Sequence, residues 1–157
     1  MQQNNTMPKT AVIMPAYNSG ATIEASVRSI LNQTVPNLVL IVVDDGSTDG
    51  TAAVLERLRA EDARLIPMTV QNGGPAKARN LALDAVPEGT EYIMFADSDD
   101  LLERGALEYA LTEGRGADLV LMGFSIKNTD GSTASYREPE QHLDPTTLGA
   151  ELGRLYK

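Results

Sequence analysis

Three aspartates within four positions, Asp97, Asp99 and Asp100, follow directly on a hydrophobic stretch, Tyr92-Ile93-Met94-Phe95. At neutral pH such neighbours repel one another, so the cluster costs stability unless water, hydrogen-bond donors or a cation offsets the charge. Asp97 and Asp99 stand two apart at the end of an expected strand. That spacing directs both to one side of the chain, as needed to grip one oxygen-loving cation or its shell of water. Carboxylates together with phosphate oxygens suit magnesium or manganese, and no cysteine or histidine stands nearby to draw a softer metal. A lone D-x-D is more often a solvated acidic loop before a helix. What favours a cation here is where the fold puts the cluster.

Two further segments carry polar groups at strand ends. Asp45-Gly46-Ser47-Thr48-Asp49-Gly50, with Glu56 downstream, matches much of an EF-hand loop. Such a loop follows a helix, whereas Leu38-Val39-Leu40-Ile41-Val42-Val43 reads as a strand, so the match is rejected. Asp45 is instead expected to accept hydrogen bonds at the end of the second strand, with Gly46 as a turn residue and Asp49 as a helix cap. In Gln71-Asn72-Gly73-Gly74-Pro75-Ala76-Lys77-Ala78-Arg79-Asn80, paired glycines allow a close backbone approach to a ligand. Pro75 opens a helix whose amides and dipole favour an anion. The glycines equally suit a tight loop. Lys77 is expected in solvent, and Arg79, one turn into the helix, against a site carboxylate or a phosphate.

The elements that must position these groups alternate regularly. Thr10 to Tyr17 and Leu38 to Val43 are short, β-branched and apolar on both faces, the pattern of buried parallel strands. Between them, Ile23, Val27, Ile30 and Leu31 form one stripe of a helix over 22–33. Helices are also expected over 51–63, 75–86 and 104–113, and strands over 64–70, 92–96 and 118–126, with Pro67 confining its strand to a less central place. A turn at Asn128-Thr129-Asp130-Gly131 leads into a hairpin strand ending at Tyr136, and a last helix follows Asp144-Pro145. The alternation predicts an open, mostly parallel α/β sheet with helices on both faces. In such sheets ligands sit beyond the carboxyl ends of the strands, where all three polar segments gather.

At 157 residues the chain is expected to form one principal domain. A net charge of −9 argues against nucleic acid or an anionic membrane surface as the main partner. There is no cysteine, which excludes disulfides and thiolate chemistry. The opening residues, Met1 to Thr6, lack the apolar core of a signal peptide, and no apolar run approaches the roughly 20 residues of a membrane span. A cytoplasmic protein is expected, at most peripheral at the cytoplasmic face of a membrane.

Taken together, AVIMPAYNSGATIEASVRSILNQT, LVLIVVDDGSTDGT, NGGPAKARNLAL and YIMFADSDDLL, in this order, resemble the nucleotide-sugar-binding half of inverting family-two glycosyltransferases of the Rossmann-like GT-A fold. The resemblance spans about Thr10 to Phe124. It implies transfer of a sugar from a nucleoside diphosphate donor, usually UDP-linked, to a saccharide or lipid-linked acceptor, assisted by Mn2+ or Mg2+. It further implies that Pro15, Ala16 and Tyr17 contact base and ribose, with Tyr17 stacking on the base, and that Asp45 accepts from the base imide. Gly73 is expected in the nucleotide-binding loop. By the same resemblance Arg79 would hold the nucleotide or order the aspartates, Asp97 and Ser98 would sit near ribose and pyrophosphate, and Asp99, with Asp97, would hold the metal.

The division expected from this resemblance is a flexible 1–9, a donor-binding domain over 10–126, and a hairpin and helix over 127–157 that begin an acceptor region. The general base of such enzymes lies well downstream of the D-x-D. Glu138, Glu140, Asp144, Glu151 and the sole histidine, His142, supply no evident base, which is expected beyond Lys157. A truncated or non-catalytic donor-binding module is therefore the alternative reading. A missing half would leave apolar surface that favours homo-oligomers, which light scattering tests. An aspartate-nucleophile phosphatase is disfavoured: its D-x-D belongs on the first strand with a threonine soon after.

Overall fold

The computed structural model describes residues 9–128 and 130–136. It comprises two compact units, divided between Ala117 and Asp118.

The first unit is a four-stranded parallel sheet. Its strands are β1 (Thr10–Ala16), β2 (Leu38–Asp44), β3 (Leu65–Thr69) and β4 (Tyr92–Phe95), in the order β3-β2-β1-β4. The crossovers are α1 (Ile23–Leu31), α2 (Thr51–Glu61) and α3 (Pro75–Asp84), and α4 (Ala106–Glu113) follows β4. Alternation of side chains along the two central strands splits the core in two. Val12, Met14, Leu40 and Val42 pack with Val27, Ile30, Leu55, Leu58, Leu107 and Leu111, from α1, α2 and α4. Ile13, Ile41 and Val43 face the other way, against Ala78 and Ala82 of α3. Each fully buried Ile, Leu or Val contributes about 1.5–3 kcal/mol, so the two central strands anchor the fold. Pro67 lies in β3, which pairs only with β2, so its missing N–H faces the sheet edge as expected.

The first two crossovers step one way across the sheet, and the third returns to place β4 on the far side of β1. The order therefore reverses between β1 and β4, which opens a crevice at their carboxyl ends. Among the described residues no helix is long and apolar enough to cross a membrane.

The second unit contains an antiparallel hairpin of β5 (Phe124–Lys127) and β6 (Thr133–Tyr136), with the Phe124 and Tyr136 rings stacked at 4.9 Å. The turn falls where the Asn-Thr-Asp-Gly signal predicts it, with Gly131 at φ +84°. The strand expected over 118–126 is cut to its last residues. Ladder pairing begins only at Phe124, and Leu119, Leu121 and Met122 are exposed. Apolar character alone does not make a strand; β6, four residues long, is its one partner among the described residues. The helix expected after Asp144, and Glu138, Glu140, His142 and Glu151, lie outside the described residues.

Candidate functional site

Three strand-end segments are tied into one edge by hydrogen bonds. After β1 the chain turns through Asn18 at φ +50°. Its N–H donates to Ser47 Oγ at 2.8 Å, and its side-chain oxygen accepts the Thr48 N–H at 2.9 Å. The Ser19 N–H donates to Thr51 Oγ1, and the Gly20 N–H to Asp49 Oδ2. Asp49 also accepts the Thr51 hydroxyl and N–H, and these donors, the hydroxyl foremost, hold its carboxyl below the usual aspartate range. The N-cap position itself falls on Gly50, so Asp49 supports the start of α2 from one residue earlier than expected.

Asp45 is 3% exposed, and its two carboxylate oxygens accept the N–H groups of Gly73 and Gly74 at 2.8 and 2.7 Å. These amides immediately precede Pro75, the first residue of α3. The anion that the helix N-terminus favours is thus supplied by the chain itself. Gly73 spends its N–H on Asp45 rather than on a ligand. The Lys77 side chain lies over Gly73, where a Cβ would collide with it. Gly74, at φ +89° and ψ 160°, holds a conformation essentially closed to other residues. Gly46, at φ +74°, lets the β2 loop press on the β3 loop, since a Cβ there would lie 2.9 Å from the Asn72 nitrogen. Asp44, 1% exposed, accepts the Ser47 N–H through Oδ1, while its buried Oδ2 has no partner among the described residues.

On the other side of the crevice, Arg79 reaches from α3 to Asp97, with Nη2 2.7 Å from Oδ1. Arg79 therefore pairs with a carboxylate of this edge. The ladder of β4 stops at Phe95, so the alternation expected to align Asp97 with Asp99 does not persist through the loop. Asp97 is engaged by the guanidinium, whereas the exposed Asp99 and Asp100 have no side-chain partner among the described residues. Partial desolvation at the cleft wall, then the charges of Asp99 and Asp97, raise the Asp100 carboxyl above the usual aspartate value, although the residue as a whole is exposed. Arg79, Phe95, Ala96, Asp97 and Asp100 line a shallow cleft of about 360 Å3.

Of the β1-end residues, Ala16 is 2% exposed in the core and its carbonyl accepts the Asp45 N–H, so it positions its neighbours. Pro15 is half-buried, and Tyr17 presents its ring at 52% exposure. Ser98 meets Ser19 across the crevice, hydroxyl to hydroxyl at 2.8 Å. Among the described residues no three His, Cys, Asp or Glu side chains converge as a metal site. The fit is to a hard cation held by one or two carboxylates and completed by phosphate oxygens and water, the usual manner for magnesium.

Sequence reasoning missed the polar residues of α1 and its flank. Ser26, Ser29 and Gln33 fall on one helical face at spacings of three and four, and that is the signal available in the sequence.

A family model described as glycosyl transferase family 2 matches residues 11–155. The chain belongs to glycosyl transferase family 2. It is 40% identical over 145 residues to an uncharacterized glycosyltransferase of Haemophilus influenzae, covering 90% of this chain and 57% of that protein. It is 39% identical over 128 residues to a GalNAc(5)-diNAcBac-PP-undecaprenol beta-1,3-glucosyltransferase of Campylobacter jejuni, covering 80% and 41%. The chain thus spans about half the length of these relatives. Among solved structures, residues 1–349 of TarS from S. aureus in complex with UDP align with a TM-score of 0.61 at 34% identity, covering 68% of this chain and 32% of that one. The mannosyltransferase PcManGT of Pyrobaculum calidifontis, in complex with GDP-Man and Mn2+, aligns with a TM-score of 0.59 at 30% identity, covering 74% and 34%. The sheet of the family-2 chain is open and parallel, as the alternation of elements predicts, and of the GT-A type that the resemblance implies.

Proposed function

We propose that this chain is the donor-binding part of a glycosyltransferase that takes a sugar from a nucleoside diphosphate-sugar, with UDP favoured, and transfers it with inversion to a saccharide or lipid-linked acceptor. The observation that carries the reading is the carboxyl edge of β4: Arg79 engages Asp97, the exposed Asp99 and Asp100 have no side-chain partner among the described residues, and Asp100 lines the cleft. Unpaired exposed carboxylates beside a cleft suit a cation that arrives with a diphosphate. The complexes of TarS with UDP and of PcManGT with GDP-Man and Mn2+ support the same reading.

Tyr17 offers an exposed ring for stacking on the base, beside Pro15. Asp45 accepts the base imide N–H through lone pairs left free after the two loop amides are satisfied. Gly73 and Gly74 keep that carboxylate fixed. Ser98 faces the ribose and pyrophosphate, and Asp99 is the principal cation ligand. Arg79 keeps Asp97 oriented and adds positive charge beside the diphosphate. A bound Mn2+ or Mg2+ supplies stabilisation of the negative charge that builds on the leaving diphosphate. The general base that deprotonates the acceptor hydroxyl is proposed to lie outside the described residues.

Calorimetric titration of UDP into the chain, with and without Mn2+, tests the reading. UDP binding that Mn2+ strengthens and that Asp99→Ala returns to its metal-free level supports it; absence of binding in both conditions overturns it. The half-length match keeps a non-catalytic donor-binding module as a second reading, which hydrolysis of UDP-sugar by the chain would exclude.

A further inference from the structure

The segment from Ser98 to Leu107 joins β4 to α4 and carries Asp99 and Asp100, yet little holds it from within. Within it the Ala106 N–H donates to the Glu103 carbonyl at 3.0 Å, and from just beyond it the Tyr109 N–H donates to the Gly105 carbonyl at the start of α4. A weak 3.3 Å contact from the Asp100 N–H reaches back to Asp97. Backbone groups of Ser98, Leu102, Glu103 and Leu107 are tied to side chains of α1 and of Gln33, just past its end. Ser26 Oγ, 1% exposed, donates to the Ser98 carbonyl at 2.9 Å. Ser29 Oγ accepts the Leu102 N–H at 3.0 Å while donating to the Ser26 carbonyl at 2.8 Å. Gln33, 7% exposed, donates through Nε2 to the Glu103 carbonyl at 2.9 Å and accepts the Leu107 N–H through Oε1 at 3.1 Å.

These contacts bracket the acidic residues. Ser98 and Leu102 are pinned, and Asp99, Asp100 and Leu101 form the span between the pins. Unpaired like charges drive such a span apart, whereas cation binding needs it held in one shape before the cation arrives. The pins are neutral, so they fix the backbone without neutralising the carboxylates. A salt bridge at the same points would fix the loop and lower its attraction for a cation.

We infer that Ser26, Ser29 and Gln33 form a neutral rail along α1 that positions the Asp99 loop and sets its affinity for a divalent cation in the presence of nucleotide. This rests on the donor-and-cation reading above. The three are positioning residues; none touches the proposed ligands.

The test uses the chain as it stands, with Ser29→Ala, Ser29→Thr and Gln33→Leu. Mn2+ binding is read by electron paramagnetic resonance at saturating UDP, UDP binding without metal by calorimetry, and the loop by amide hydrogen exchange. The expected result for Ser29→Ala is Mn2+ affinity lower by about tenfold, the scale on which residues that orient a metal ligand act. Metal-free UDP binding stays unchanged, exchange rises at 98–102 but not in β1 and β2, and Ser29→Thr restores the affinity by keeping the hydroxyl. Gln33→Leu lowers Mn2+ affinity in the same sense. A Ser29→Ala chain with wild-type Mn2+ affinity overturns the proposal alone. Equal weakening of Mn2+ and metal-free UDP binding, with exchange raised throughout the sheet, also overturns it, because the residue is then merely structural. A wild-type chain that binds UDP but no Mn2+ overturns the rail together with the cation reading.

Discussion

Asp45 and Asp99 stand at the ends of β2 and β4, the two neighbours of β1, and the chain treats them in opposite ways. Asp45 is buried, with each oxygen receiving a loop amide. Asp99 is exposed and unpaired among the described residues, and the polar contacts near it go to the backbone on either side. A buried carboxylate satisfied by donors organises the structure around it, and its loss leaves those donors stranded. An exposed carboxylate without donors contributes nothing to folding and keeps its charge available. Similar acidic strings therefore build a wall at the end of one strand and leave an uncompensated acidic edge at the end of the other.

The largest effect expected from breaking this contrast is at Asp45. Asp45→Ala strands the Gly73 and Gly74 amides and should cost about 3 kcal/mol, on the scale of hydrogen bonds to a charged group. Asp99→Ala should change stability by less than about 0.5 kcal/mol, as surface substitutions do. Urea denaturation of both variants measures the difference, and equal losses would erase the distinction. Next comes Gly74→Ala, which forces a side chain into a glycine-only conformation at the same junction and should cost about 1–3 kcal/mol. If it is silent, the Asp45 wall tolerates a different loop.

A smaller effect is expected at Asp100. The fold holds its carboxyl above the ordinary 3.8 through partial desolvation and the charges of Asp99 and Asp97. The folded state therefore grips that proton more tightly than the unfolded one, so stability declines as pH rises from 3.8 through the raised value and is flat above it. Asp100→Asn should remove that decline and raise the denaturation midpoint slightly at neutral pH; thermal scans across pH read both. The smallest effect belongs to the Glu24–Arg28–Arg57–Glu61 ion-pair network between α1 and α2, whose side chains are all more than 40% exposed. Glu24→Gln should leave the midpoint nearly unchanged in high salt, because surface pairs are screened.

How far the sequence reveals all this differs between the two carboxylates. The strands were readable because β2 is apolar on both faces, and the edge place of β3 because proline cannot donate. The acidic string after Phe95 marks a candidate binding edge through the cost of crowding like charges. The Asp45 wall was only half readable: an acceptor was expected, but its amides lie 28 and 29 residues on, and nothing local in the chain records such a pairing. Ser29 and Leu102 are 73 residues apart, and a serine on a helix looks the same whether it faces water or a loop. The strand expected over 118–126 failed for a related reason. A ladder needs a partner, and apolar residues do not name theirs.

The neutrality of the α1 contacts bears on how the site can be measured. Hydroxyls and a carboxamide do not titrate between acid and base, and added salt does not screen them as it screens charges. The backbone around Asp99 should thus keep one shape across a wide span of buffers, so a pH or ionic-strength series on cation binding would report the charges alone, without a moving scaffold beneath them.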